Sequence, residues 1–151
     1  AGLAPTIYGT RWDALIDARY IKRALIPNSA VADLYRKAGV VLNDHWPDMQ
    51  RAGILSNRVF DVLACRAPLV SDEIADLPNG FSHFVISFGP DRPIDRAIVQ
   101  ALSEDAERGG ARRTFAEVVR RDHSFDRRAA VILQSAKALL SRREQPLASA
   151  S

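Results

Sequence analysis

Two short apolar runs, "VVLN" (Val40–Asn43) and "PLVS" (Pro68–Ser71), stand on either side of one amphipathic helical segment, and this arrangement limits the fold most. A strand with apolar residues at successive positions offers no face to water and must be covered on both sides. Parallel strands joined by crossover helices meet that demand. The same alternation extends outward. "TIYG" and "RALIP" read as short strands, and "SHFVISF" as an edge strand. "NSAVADLYRKAG" reads as a helix capped by Asn28 or Ser29 and ended by Gly39. "SNRVFDVLACRA" reads as a helix capped by Ser56 or Asn57, and "DHWPDMQRAGIL" as a polar loop. The expected architecture is α/β, with a Rossmann-like parallel sheet flanked by helices. It ends in long helices over "RPIDRAIVQALSED", "GARRTFAEVVRRD" and "SFDRRAAVILQSAKALLSRRE". One domain over residues 1–141 accounts for these elements, and 142–151 is expected to be a disordered tail.

Composition excludes several classes. The net charge of +3 is mild, and the Arg residues of the last third are interleaved with acids. Solvated helix faces explain them, and no nucleic-acid partner is expected. No run is long enough for a membrane span and no signal peptide is visible. The single Cys65 cannot form an internal disulfide and sits in an apolar run, as a structural thiol would. A cytoplasmic location is expected.

Ligands of such sheets bind at the carboxyl ends of the strands. Three loops should meet there: Gly9 to Trp12, Asn43 to Leu55, and Asp72 with Glu73. The middle loop runs into the start of the helix at Asn57, where free N–H groups and the helix dipole favour an anion. Arg58 in the first turn opposes the dipole but suits a bound phosphate as a forked cation. Asp61, three residues on, can accept from a ribose diol. A plain intrahelical Arg58–Asp61 ion pair is the other reading of the same spacing. His45 can touch a sugar or phosphate from its loop, or be an ordinary exposed histidine. His123 reads as a capping or packing residue. Three scattered histidines make no zinc site, and no Asp-x-Asp stands where a sugar transferase would hold a metal.

The runs "LYRKAGVVLNDH", "GILSNRVFDVLACRAPLVSD" and "DHSFDRRA" resemble the carboxyl-terminal lobe of GT-B-fold group 1 glycosyltransferases, in the branch similar to spore maturation protein B. Tyr35, Ala38, Asn43, Gly53, Ser56, Arg58, Phe60, Leu63, Ala64, Cys65, Pro68, His123, Phe125 and Arg128 carry the resemblance. The chain departs from the pattern in having Asp61 for Glu and Arg66 for Gly, and Gly53 stands where some relatives have a further acid. The resemblance implies a nucleoside diphosphate sugar as donor substrate, with no cofactor and no metal. It puts Asp61 at the ribose, Ser56, Asn57 and Arg58 at the diphosphate, and Leu25, Ile26 and Pro27 along the base. Gly9 and Asn43 complete the strand-end edge, with His45 as the one catalytic candidate.

The resemblance implies a hexosyltransferase-like enzyme whose acceptor lobe and catalytic base lie in an amino-terminal half, so this lobe alone should transfer nothing. It also implies a strand–helix unit ahead of "TIYG". Without that unit a slot would open between "TIYG" and "VVLN", to be closed by rearrangement or by a strand-exchanged homodimer. The alternative to an enzyme is a non-catalytic Rossmann-like module that binds a nucleotide or a protein.

Overall fold

The computed structural model describes residues 4–103 and 105–143. Among the described residues five strands form two parallel sheets. β1 (Ile7–Tyr8) pairs with β2 (Ile21–Arg23), and β3 (Val41–Asn43), β4 (Leu69–Asp72) and β5 (Val85–Phe88) lie side by side in that order. Among the described residues no ladder joins β1 to β3. Six helices accompany them: α1 (Asn28–Lys37), α2 (Pro47–Arg51), α3 (Asn57–Ala64), α4 (Ile94–Leu102), α5 (Ala106–Asp122) and α6 (Phe125–Arg143).

The register of the larger sheet explains its apolar strands. Val41, Leu69 and Val85 form one row, Leu42, Val70 and Ile86 the next, and Asn43, Ser71 and Ser87 the third. Successive rows point to opposite faces. Leu69 and Val85 pack with Val59, Val62 and Leu63 of α3, with Phe81, and with Val119 of α5. Val70 and Ile86 pack with Ala97, Ile98 and Ala101 of α4. Helices therefore cover both faces, and all four residues of β4 are buried. The third row, at the carboxyl end, is polar and lies on the same face as Leu69 and α3.

Several local expectations shift. The strand next to β1 is Ile21–Arg23 rather than "RALIP", fed by a 3-10 turn over Ala18–Tyr20 whose cap Asp17 accepts from the Arg19 N–H at 3.0 Å. Pro27, not Asn28 or Ser29, occupies the cap position of α1, without a side-chain hydrogen bond. The Asp44–Leu55 loop contains α2, started by Pro47 in its first turn, where a missing N–H costs nothing. The first half of "SHFVISF" is a 3-10 turn over Phe81–His83, and only Val85–Phe88 pairs. α5 begins at Ala106 because Asp105 caps it, accepting from the Arg108 N–H at 2.8 Å, and it runs through Gly109 and Gly110. α6 continues through Arg143, past the expected boundary at 141, and the rest of the expected tail lies outside the described residues. No helix among the described residues is long and apolar enough to cross a membrane.

α3 ends with Cys65 as its cap, and Arg66 follows at φ 65°, in the left-handed region. This is the position where the resembling family carries Gly, and the backbone supplies the reason: a Cβ there meets the following carbonyl, at about 1–2 kcal/mol. Arg66 recovers part of that through an exposed ion pair with Glu117 at 2.9 Å. Arg66→Gly is therefore expected to stabilise the fold by about 1 kcal/mol in urea denaturation. A destabilised variant would show that the contact to α5 outweighs the backbone strain.

Candidate functional site

The row Asn43–Ser71 begins a continuous hydrogen-bond network at the carboxyl edge of the sheet. Arg58 Nη1 donates to Asn43 Oδ1 at 3.4 Å. Arginine only donates, so this contact fixes the amide orientation and leaves Asn43 Nδ2 to donate to Ser71 Oγ at 2.9 Å. The Ser71 hydroxyl then donates to Asp72 Oδ1 at 3.0 Å. The same carboxylate accepts from His45 Nδ1 at 2.6 Å, from the His45 backbone N–H at 3.0 Å and from Gln50 Nε2 at 2.6 Å. The buried Asp72 thus has donors on both oxygens, which is what a carboxylate withdrawn from water requires.

His45 closes the circuit. Its Nε2 accepts the Ser56 N–H at 3.0 Å, so the ring is the Nδ1–H tautomer and neutral in this arrangement. Its side chain is fully buried and both ring nitrogens are engaged inside the protein. The expected contact of a loop histidine with sugar or phosphate finds no free nitrogen here. His45 instead holds the start of α3 against the end of β4. His45→Ala removes one of the four donors to the buried Asp72 carboxylate and leaves the Ser56 N–H without its acceptor. It is expected to destabilise by about 2–4 kcal/mol in urea denaturation. A small loss of stability would mean that water replaces the imidazole at no penalty.

Ser56 caps α3, its hydroxyl accepting from the Arg58 N–H at 3.3 Å. Arg58 lies beside the Tyr35 hydroxyl and reaches Asn43. Among the described residues no ion pair joins it to Asp61, so the plain intrahelical pair is not formed. Asp61 lines a cavity of about 350 Å³ between α3, α5 and α6, together with Asn57, Phe60, His123 and Arg128. His123 packs as expected, with its ring 5.4 Å from Phe60 and 5.1 Å from Phe81. A second cavity, of about 490 Å³, opens at the ends of β4 and β5 beside Gln50, Asp72, Glu73 and Gly89. A Cβ on Gly89 would lie 2.6 Å from the Glu73 carboxyl carbon, so a larger residue there would displace the Glu73 carboxylate.

The remaining expected site residues lie elsewhere. Gly9 follows β1, donating to the Arg23 carbonyl at 3.1 Å with the Trp12 indole against its Cα, and Ile26 is half-buried beyond β2. The structure therefore joins Asn43, His45, Ser56 and Arg58 in one network and puts Asn57 and Asp61 on the adjoining cavity. Gly9 and Ile26 lie at the ends of the other sheet's strands. Ser71, Gln50 and Arg128 were not singled out as site residues. Only "PLVSD" and "DHSFDRR" signalled two of them, through the strand end and the resemblance.

Partial burial raises the Asp61 carboxyl above its ordinary range, opposed by the cations Arg128 and Arg58. Its protonated form is thus favoured by folding. That contribution is complete below the ordinary carboxylate range, near pH 4, and is lost as pH rises through the raised value. Ionised Asp61 is therefore a burden on the fold at neutral pH. Asp61→Asn is expected to leave the Tm at pH 7 equal or higher, with the difference vanishing on acidification. A Tm that falls at pH 7 would assign Asp61 a structural role.

Among the described residues no group of three His, Cys, Asp or Glu converges as a metal ion would require. A family model described as glycosyl transferase-like matches residues 1–134. No curated protein and no solved structure matches.

Proposed function

From the premise that this chain belongs to the glycosyl transferase-like family, we propose that it is a donor-binding lobe that takes a nucleoside diphosphate sugar and supports transfer of the sugar to an acceptor. The observation that carries this reading is Asp61. Its carboxylate has no hydrogen bond or ion pair among the described residues and lines a cavity. A ribose diol supplies the two donors that such an acceptor lacks. Asn57 and Arg58, one turn earlier, occupy the helix start, where the dipole favours a diphosphate.

The chemistry assigned to the lobe is leaving-group stabilisation. As the glycosidic bond breaks, the departing diphosphate gains negative charge. Cations and N–H groups already fixed by the Asn43–Asp72 network would stabilise that charge without reorganising. His45, with both nitrogens engaged, is not assigned as the base, and the acceptor and base are assigned to parts outside these residues. A hexosyl donor, and membership of the branch resembling spore maturation protein B, rest on the motif around Ser56–Pro68.

Titration calorimetry with UDP, GDP and ADP tests the reading. At least one is expected to bind, and Asp61→Asn is expected to weaken it by about 10-fold or more, the worth of hydrogen bonds to a charged group. The 2′,3′-dideoxy analogue should be affected much less. Equal losses for both ligands would remove Asp61 from the ribose.

A further inference from the structure

We propose that Arg128 is a phosphate-binding residue of the Asp61 cavity, a second cation beside the start of α3; this rests on the nucleoside diphosphate reading above. The start of α3 is already partly committed. The Ser56 N–H goes to His45, the Arg58 N–H to the Ser56 hydroxyl, and the Arg58 guanidinium to Asn43. Arg120, which also lines the cavity, is engaged by Glu117 at 2.6 Å and by the Ala64 carbonyl.

Arg128 differs from these. Its guanidinium carbon lies 4.7 Å over the Phe60 ring and 5.3 Å from the centre of that of Phe125, so aromatic rings from α3 and α6 adjoin it. The one hydrogen bond of its guanidinium among the described residues is a long 3.4 Å contact to Asn57 Oδ1, and no described carboxylate lies within ion-pair distance. A guanidinium carries five donors in a rigid fork, the geometry that matches phosphate oxygens. Here most of them are uncommitted, and the neighbouring rings hold the cation by its attraction to their faces without occupying its N–H donors.

The pairing with Asp61 sets the ligand class. The two opposite charges line one cavity without closing into an ion pair. That suits a ligand presenting hydroxyl donors at one end and an anion at the other, as a ribose bearing phosphates does. Phe125 and Arg128 come from the segment "DHSFDRR", three residues apart at the start of α6 and hence on one side of it. The first turn of α6 thereby becomes part of the donor site.

The test is titration calorimetry of this chain with UDP, GDP and ADP and with uridine, guanosine and adenosine, at two salt concentrations. Arg128→Gln keeps a planar polar group on a shorter side chain and removes the charge, while Arg128→Lys keeps the charge and removes the fork. Circular dichroism checks that each variant retains its helices. Arg128→Gln is expected to weaken the diphosphate about 10- to 100-fold, to change the nucleoside less than about 3-fold, and to flatten the salt dependence. Arg128→Lys should recover part of the loss. If the unaltered chain binds a diphosphate and Arg128→Gln binds it equally well, or loses nucleoside and diphosphate alike, Arg128 is a packing residue and the proposal fails. If the unaltered chain binds none of the three diphosphates, the nucleotide reading fails and this proposal falls with it.

Discussion

The Asp72 carboxylate is the constraint on which the rest of the site depends. It lies buried at the end of the central strand of the larger sheet and accepts four hydrogen bonds, from Ser71, Gln50 and two groups of His45. A carboxylate withdrawn from water is tolerated only when its lone pairs are met. Each donor that meets them comes from a different part of the edge: the strand itself, helix α2, and the segment that follows β3. The long connection between β3 and α3 is thereby drawn onto the sheet, and His45 passes the restraint to Ser56 and the start of α3.

The edge consequently divides into a committed half and an available half. On the sheet side, Asn43, Ser71, Asp72 and His45 spend their polar groups on one another. On the outer side of α3, Asp61 and Arg128 share a cavity and leave most of their capacity unspent. The first half supplies rigidity, and the second offers charge to something outside the chain. Fixed donors next to uncommitted charges are what stabilisation of a departing diphosphate would call for.

α6 extends this division outward. Its first turn is held to α3 by Arg128, which lies over Phe60 and donates to Asn57, and every residue from Ala129 to Ser141 is exposed. Phe125, Ile132, Leu133, Ala136, Leu139 and Leu140 recur at helical spacing and make one apolar stripe along it. β3 has a ladder partner on one side only, and its Leu42 is 41% exposed, well above the buried Val70 and Ile86 in the same row. Both features are apolar surface that the larger sheet and its covering helices leave open.

The sequence by itself determined the parallel α/β architecture, the order of most elements and the position of α3. These follow from local regularities: runs such as Val40–Leu42 and Pro68–Val70 that can only be buried, and Ser56 ahead of a helical period. Arg58 and Asp61 were legible as a pair for the same reason, since their spacing is a property of one helix. Where long-range terms competed, local reading misplaced β2, missed α2 and started α5 late. Only the tertiary structure decided what each polar side chain does. The register of β3 on β4 sets Asn43 beside Ser71, and a buried carboxylate turns His45 inward although its loop position reads as exposed. Residues 61 and 128 meet across a cavity only because the first turn of α6 lies beside α3. Hydrogen bonds and charges act over a few ångströms in space, and distance along the chain does not encode which groups will come that close.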